Sequence, residues 1–300
     1  MAAESPEISI VVPVRLARET IAHTLQALLD QCAGRDAEVT AVVSRADATR
    51  EALRPFQSHP RLRVIEMDGA RSVPQLRAEG IRASRGALVA ITEDHCLFPH
   101  DWVERLMAAH RAHPDAAAIG GLVENGRTAS LLDWAIYFSR YLVWMPPVPG
   151  GPVRQLPGNH ASYRREVLEA HRDFFAHGFW EHEFHNRIAA RGRALWLDAQ
   201  LVVTHNKPYG FLAYVALRYR HARCFGAMGA GQPRLRRIVS APLLPFLLLL
   251  RAWRLAAQKR RRRRELLLCS PILLLFYGVW CWGEIVGQLF GPGQTCSQTD

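Results

Sequence analysis

Short apolar runs alternate with amphipathic stretches in the first part of this chain. Strands are predicted at residues 8–14, 38–43, 62–66 and 87–92, and the first and last of these stretches are apolar runs of β type. Between them, apolar positions recur at helical spacing, which predicts helices at 19–29, 49–56 and 73–83. Strands that alternate with helices in this way predict βαβ units. We therefore expect an α/β protein with a Rossmann-like, mostly parallel sheet flanked by helices.

The alternation continues after residue 100 with less regular spacing. Helices are predicted at 101–113 and 181–191, and strands at 116–123 and 195–203. The stretch 146–157 is rich in Pro and Gly and is predicted to be a loop over the site. These elements place residues 1–233 in one catalytic domain.

The last part of the chain, residues 234–300, has a different pattern. Two apolar segments, 238–250 and 266–283, flank the basic run 259–264. The first is too short to cross a hydrocarbon core of ~30 Å as a helix, and the second is close to the required length. We predict a membrane-attached tail whose basic run faces anionic lipid. A helical hairpin packed on the catalytic domain is the alternative.

The net charge of +11 comes mostly from this tail. Residues 234–265 carry eleven of the 38 Lys and Arg residues and a single acid. Since the rest of the chain is nearly balanced, its charge does not favour nucleic-acid binding. In most proteins an arginine run is a solvated charge cluster, but the apolar flanks favour a membrane surface here.

The cysteines and the N-terminus favour the cytoplasm for the catalytic domain. The six cysteines show no paired or zinc-type spacing, which predicts free thiols in a reducing compartment. The first residues are acidic and lack the apolar region of a secretory signal. The expected localisation is membrane-associated, with a cytoplasmic catalytic domain.

The strand at 87–92 stops on three side chains that can bind a metal: Glu93, Asp94 and His95. Ligands of open α/β sheets bind beyond the carboxyl ends of such strands. Carboxylates and an imidazole at this position suit a divalent cation and the anionic substrate that it would hold. A helix-capping turn is the alternative interpretation of the same residues.

A second set of candidate residues occurs near the end of the α/β region. Glu181 and Glu183 open a predicted helix, and His205 follows the strand at 195–203. Carboxylates in the first turn of a helix are also typical of solvated ends, because the helix dipole favours them. His205 fits a structural histidine as well as it fits a metal ligand.

The order of these motifs resembles the family 2 glycosyltransferases over residues 6–230. The resemblance includes the strand ending at Pro13, the Arg77-Ala-Glu-Gly80 turn, the Glu93-Asp94-His95 triplet and the later 180–187 segment. It implies a GT-A fold and an inverting transfer of sugar from a nucleotide-sugar donor.

The resemblance also implies roles for individual residues. Pro13 and Val14 would lie beside the nucleotide base, and Arg77 beneath the nucleotide, with Glu93 and Asp94 completing the nucleotide-sugar site. In the segment 43–47, where the family has a pair of aspartates, the chain reads Val-Ser-Arg-Ala-Asp.

The remaining implied roles concern the metal and the catalytic base. Asp94, His95 and His205 would bind a divalent metal, Mn²⁺ or Mg²⁺. Because His95 replaces a carboxylate of the family and imidazole suits transition ions better than Mg²⁺, Mn²⁺ is favoured. Glu181 would be the base, with Glu183 as a second acid at a matching position.

The sequence therefore predicts a membrane-associated inverting glycosyltransferase. Its acceptor would be a hydroxyl, on a lipid or lipid-linked glycan of the cell envelope, because a membrane anchor raises the local concentration of such a substrate. Two alternatives remain: a catalytically inactive GT-A scaffold in a membrane complex, and a processive synthase, which the few apolar segments disfavour.

Overall fold

The computed structural model describes residues 5–15, 20–44, 47–228 and 242–298. They form two compact units. Unit 1 comprises residues 1–124 and 146–206, and unit 2 comprises 125–145 and 207–300. The predicted boundary after residue 233 lies outside the described residues. Residues 207–228 group with the tail in unit 2, so the boundary between the two compact units lies earlier in the chain than residue 233. The division into a catalytic domain and a membrane-attachment tail stays a prediction.

Unit 1 is built on a sheet of nine strands. In chain order, the strands are β1 Ile8–Val14, β2 Ala37–Ser44, β3 Leu62–Met67, β4 Leu88–Ile91, β5 Cys96–Leu97, β6 Ala116–Asn125, β7 Gly151–Val153, β8 Ala161–Arg164 and β9 Ala194–His205. The spatial order is β3-β2-β1-β4-β8-β6-β9-β5, and β7 pairs with β9.

The sheet is mixed. The strands β1 to β4 pair in parallel, as the alternating pattern predicts. The strand β8 then pairs antiparallel with both β4 and β6, and β9 pairs antiparallel with β5 and β7. The α/β class is therefore confirmed, with parallel pairing among β1 to β4 and antiparallel pairing of β8 with β4 and β6 and of β9 with β5 and β7.

The helices predicted in unit 1 are observed within a few residues of their predicted bounds, and α6 is an additional short helix. The helices are α1 Thr20–Cys32, α2 Asp47–Leu53, α3 Val73–Ala83, α4 Trp102–Ala112, α6 Arg165–Glu169 and α7 Glu181–Ala190. Residue 19, the predicted start of the first helix, lies outside the described residues.

The Arg77–Gly80 segment lies inside α3, so the prediction of a turn there is wrong. Gln75 Oε1 accepts a hydrogen bond from the Ser72 amide at 3.0 Å, which supports the start of this helix. Gly80 packs directly against β1, because a Cβ at this position would collide with the Val11 side chain. The glycine therefore permits close helix–sheet packing rather than a turn.

The Pro/Gly-rich stretch 146–157 is partly ordered as a strand. β7 pairs with β9, with Gly151 opposite Leu197 and Val153 opposite Leu195. The prediction of a loop is therefore wrong for residues 151–153. Alternation in three residues is too short to give a strand signal, and the pairing depends on a partner more than forty residues away in the chain.

Unit 2 is helical in its described residues. The helices are α5 Leu131–Tyr141, α8 Phe211–Met228, α9 Leu244–Lys259 and α10 Arg263–Phe290. The start of α5 is capped reciprocally: the Asp133 amide donates to Ser130 Oγ and the Ser130 amide to Asp133 Oδ2. Residues 238–241 of the first predicted apolar segment lie outside the description.

Close packing joins α8 and α10. A Cβ at Gly283 would meet Ala222, one at Gly287 would meet the Arg223 carbonyl, and one at Gly226 would meet the Glu284 backbone. Glycines four residues apart on one helix face let two backbones approach closely, a pattern that is common among helices in membranes.

A disulfide in unit 2 joins Cys224 of α8 to Cys296 near the C-terminus. The prediction that all six cysteines are free thiols is therefore wrong for this pair, while the buried cysteines 32, 96, 269 and 281 are free. The two bonded cysteines are separated by 72 residues, a spacing that carries no recognisable signal. The thiol argument for a reducing compartment loses its support accordingly.

One helix among the described residues, α10, is long and apolar enough to cross a membrane by length and composition. Its 28 residues have a mean hydropathy of 1.8 in the most apolar window, 39% of which is buried. Several large apolar side chains on α10 are exposed, among them Leu267, Trp282 and Phe290. Length and composition make α10 a candidate span, and a core helix of a soluble protein can share both.

Candidate active site

The acidic triplet lies at the carboxyl end of β4, between two strands. Thr92 to His95 are all buried, and the chain continues directly into β5. The alternative of a helix-capping turn is therefore wrong. Thr24 of α1 fixes the backbone here by donating to the carbonyls of Asp94 and Cys96, at 3.2 and 3.1 Å.

The pairing of β5 with β9 brings His205 to the triplet. Cys96 lies opposite His205 in this antiparallel pair, and the Asn206 amide donates to the His95 carbonyl at 3.1 Å. Two histidines that are 110 positions apart in the sequence thus become neighbours. Their rings meet edge to face with centroids 4.7 Å apart.

Glu93, His95 and His205 together form a candidate metal site. One ligand atom from each residue lies within 4.8 Å of the others, and all three residues are buried. His95 Nε2 lies 2.9 Å from Glu93 Oε2, and His205 Nε2 lies 4.0 Å from the same oxygen. Two imidazoles and one carboxylate form a donor set that suits transition ions.

Asp94 has a different position from its two neighbours. Its Oδ1 contacts His95 Nδ1 at 2.7 Å. With the proton on Nδ1, the lone pair of Nε2 faces Glu93 and is available to a metal. Asp94 therefore orients the imidazole, and Glu93 replaces it in the cluster of ligand atoms. The predicted role of Asp94 as a direct ligand stays a prediction.

Arg77 connects this cluster to the first turn of α7. Its guanidinium donates to Glu181 Oε2 at 2.6 Å and to Glu93 Oε1 at 3.1 Å. Burial alone would lower the pKa of Arg77, but the charges of Glu181 and Glu93 outweigh it and raise the pKa. The position beneath a nucleotide stays a prediction for Arg77; the contacts show that it holds two carboxylates of the site together.

The two predicted catalytic acids differ in their surroundings. Glu181 is paired with Arg77, and its other carboxylate oxygen borders Gly158 so closely that a Cβ there would collide with it. Glu183 lies two residues further along α7 and is partly exposed. Glu181 is therefore the acid that the fold fixes next to the metal cluster.

Tyr163 and His185 adjoin this network and did not feature among the predicted site residues. Tyr163 Oη lies 2.7 Å from His185 Nε2, and both side chains are buried. Burial lowers the pKa of His185 to about 3 and raises that of Tyr163 well above its usual value. Both groups are therefore neutral at physiological pH. No local sequence signal marks them, because they meet through tertiary packing.

Pro13 and Val14 end β1 at the same edge of the sheet. Val11 lies opposite Ile91, and the Thr92 amide donates to the Val11 carbonyl at 3.1 Å. Continuing this register places Pro13 and Val14 alongside the acidic triplet. Their contact with a nucleotide stays a prediction. Residues 45 and 46, within the segment where the family has a pair of aspartates, lie outside the described residues.

The comparison with protein families identifies the chain. The model of glycosyl transferase family 2 matches residues 9–172, more than half of the sequence. The chain therefore belongs to glycosyl transferase family 2, and it is a glycosyltransferase that uses a nucleotide-sugar donor. The match ends before Glu181, Glu183 and His205, so their assignment depends on the geometry. A search of the curated proteins finds no match.

A solved structure shares the fold. The mannosyltransferase PcManGT from Pyrobaculum calidifontis, in complex with GDP-Man and Mn²⁺, superposes with a TM-score of 0.59. The likeness covers 96% of this chain and 88% of that chain at 20% sequence identity. At this identity it shows that the two proteins share the GT-A fold.

Proposed function

We propose that the protein catalyses an inverting glycosyl transfer at the edge of the sheet where β1, β4 and β9 end. The observation that carries the proposal is the double contact of Arg77, which joins Glu181 to Glu93 of the candidate metal site. A base and a binding site for a diphosphate must lie within one sugar's reach of each other. The Arg77 bridge supports such a distance.

In this mechanism, Glu181 accepts the proton of the acceptor hydroxyl. The hydroxyl oxygen attacks the anomeric carbon, and the bond from that carbon to the diphosphate oxygen breaks on the opposite face. The electron pair leaves with the nucleoside diphosphate. Arg77 keeps the Glu181 carboxylate in position during the attack, and Glu183 is the alternative base.

Glu93, His95 and His205 would hold a divalent cation, with Asp94 orienting His95. The cation would supply Lewis-acid neutralisation of the departing diphosphate. We propose Mn²⁺ in preference to Mg²⁺, since two of the three donors are imidazoles. The presence of Mn²⁺ in the PcManGT complex supports this choice.

The protein acts at a membrane surface in this proposal. The apolar exposed residues of α10 and the basic run 259–264, which extends from the last residue of α9 into the first turn of α10, support attachment to anionic lipid. The acceptor is then a lipid or a lipid-linked glycan, and the catalytic unit faces the cytoplasm. Flotation with phosphatidylglycerol vesicles, but not with phosphatidylcholine vesicles, would support this attachment.

The activity can be tested with the full chain in a neutral detergent. A panel of nucleotide sugars is incubated with Mn²⁺, with Mg²⁺ and with a chelator, and the anomer of the product is determined by NMR. We expect turnover of one donor, inversion at the anomeric carbon, the highest rate with Mn²⁺ and none with chelator. Turnover with retention, or full activity in chelator, would overturn the mechanism; donor binding without any turnover would favour an inactive scaffold.

A further inference from the structure

A cavity of about 220 Å³ lies within unit 2 between α5, α8, α9 and α10. Three arginines line it, each from a different helix: Arg140, Arg218 and Arg251. The other lining residues are mostly apolar or aromatic, and none of the described lining residues is an Asp or a Glu. Three cations around one apolar cavity create a strong preference for an anion.

Arg218 is the most constrained of the three. Its Cζ lies 4.1 Å from the centroid of the Trp280 ring, so the guanidinium is stacked on an aromatic face. Its Nε is shielded from solvent and donates to no acceptor among the described residues. Burial lowers the pKa of Arg218, with a smaller contribution in the same direction from the charge of Arg140, although Tyr214, Tyr277 and Glu284 act in the opposite direction. The local structure therefore holds a cation without providing a carboxylate in the cavity.

Neutral groups hold the neighbouring cations. Arg140 Nη1 donates to Tyr209 Oη at 2.8 Å. Lys259 Nζ donates to the carbonyls of Val143, which lines the cavity, and of Met145, at 3.2 and 2.6 Å. These described contacts satisfy hydrogen bonds of the two cations and add no negative charge to the cavity wall.

The apolar surroundings specify what kind of anion fits. Leu142, Val143, Leu248 and Leu255 form much of the wall. On the same helix as Arg251, the side chains of Phe246, Leu247 and Leu250 are exposed, at 60%, 56% and 46% of their surface. A ligand with a phosphate group and an apolar chain would contact both the arginines and the apolar wall, whereas free phosphate would contact only the arginines.

We propose that this cavity binds the phosphate group of a lipid. The guanidinium groups of Arg218 and Arg251 would donate charge-assisted hydrogen bonds to the phosphate oxygens, and the apolar wall would contact the first carbons of the chain. The inference extends the proposed action at a membrane and rests on it, since such a ligand is found in bilayers and in lipid-linked acceptors.

Binding can be measured by calorimetric titration of the full chain in a neutral detergent. The probes are a short-chain phosphatidate, the diacylglycerol of the same chain length, and inorganic phosphate. We expect the phosphatidate to bind at least roughly tenfold more tightly than either of the other two, because each lacks one of the two features. Equal binding of phosphatidate and inorganic phosphate, or of phosphatidate and diacylglycerol, would overturn the proposal.

Arginine variants separate this cavity from general attraction to a basic surface. Arg218→Gln and Arg251→Gln should each weaken phosphatidate binding roughly tenfold. The matched control is Arg254→Gln, which removes an exposed charge three residues from Arg251 and outside the cavity. An equal loss in Arg254→Gln would show non-specific attraction. If Arg218→Gln does not fold, the more exposed Arg251→Gln still decides the result.

The same preparations separate this proposal from the proposed glycosyl transfer. Thermal shifts with nucleoside diphosphates and Mn²⁺ report on donor binding. Phosphatidate binding without any donor binding would leave the cavity assigned and remove support for the transfer mechanism. Donor binding without phosphatidate binding would do the reverse.

Discussion

Two arginines, the buried Arg77 of unit 1 and the partly buried Arg218 of unit 2, differ in the groups that contact their guanidinium. Arg77 of unit 1 contacts two carboxylates, those of Glu93 and Glu181, and the charges of these acids raise its pKa. Arg218 of unit 2 is stacked on Trp280 in a cavity whose described lining lacks an acid, and burial lowers its pKa.

The difference indicates what each arginine is for. A paired guanidinium keeps the carboxylates of a site at fixed positions, and its charge is already satisfied. A guanidinium stacked on an aromatic ring, with no carboxylate in the described lining of its cavity, keeps its attraction for an anion from outside the protein. By our two proposals, the same side chain organises a catalytic centre in unit 1 and receives a ligand in unit 2.

The largest effect is expected from the acid that Arg77 holds. Glu181→Gln should reduce the transfer rate by about 10²–10⁴-fold, because the base is lost while the hydrogen bond to Arg77 can persist. Donor affinity should change little. Glu183→Gln is the matched control, with a smaller loss expected. A larger loss for Glu183→Gln in steady-state kinetics would transfer the role of base to that residue.

The metal cluster gives the second prediction. His95→Ala and His205→Ala should weaken Mn²⁺ binding, measured by electron paramagnetic resonance, and lower turnover by roughly 10²–10³-fold, since Lewis-acid stabilisation contributes several kcal/mol. His100→Ala, which changes an exposed histidine close to the triplet, is the control. Unchanged Mn²⁺ affinity in both cluster variants would exclude these residues as ligands.

A third prediction tests the pairing of Arg77 directly. Arg77→Met should lower the free energy of unfolding by about 3–5 kcal/mol, because it leaves the buried Glu93 carboxylate without its cation. Urea denaturation gives the value. Arg105→Met, which breaks an exposed pair with Asp101, should change the midpoint much less. Equal shifts in the two variants would mean that Arg77 is not structurally important.

Unit 1 also avoids unpaired charge by keeping a buried histidine neutral. His160 accepts a hydrogen bond from Trp102 Nε1 at 2.9 Å, and burial lowers the pKa of His160 to about 4. Between pH 6.5 and 4 the unfolded chain binds this proton and the folded chain does not. Proton binding by the unfolded chain therefore does not lower the free energy of unfolding above pH 6.5. The free energy of unfolding decreases progressively as the pH falls from 6.5 towards 4.

The expected slope from His160 is up to about 1.4 kcal/mol per pH unit. Urea denaturation at pH 7, 6 and 5 measures it. His160→Asn should be less stable at pH 7 and should lose less stability on acidification. A variant with the same pH slope as the unmodified protein would show that His160 does not titrate in this range.

The smallest effect is expected in unit 2. Arg218→Met should change the free energy of unfolding by no more than about 1 kcal/mol, because losing the cation–π contact is offset by losing a partly buried cation with no carboxylate in the described cavity lining. Denaturation in neutral detergent compares it with Arg77→Met. A decrease in the free energy of unfolding as large as that of Arg77→Met would show that groups of the protein itself stabilise the charge of Arg218. The proposed difference between Arg77 and Arg218 would then be wrong.

Much of unit 1 could be predicted from the sequence because its signals are local. The predicted bounds of the buried run Ile8–Val14 and the helix Val73–Ala83 match the observed ones, since apolar periodicity reports directly on burial. The acidic triplet is recognisable because a strand that ends on charged residues is visible along the chain. In contrast, the Cys224–Cys296 disulfide and the short strand β7 carry no local signal.

The sequence by itself determined the α/β class, the acid-rich end of β4, the basic run and the apolar tail, because each depends on neighbours along the chain. Only the tertiary structure decided that Glu93 joins His95 and His205, that Arg77 holds Glu181, and that three arginines surround one cavity. Strand register and helix packing set these distances between residues far apart in sequence, and no spacing along the chain encodes them.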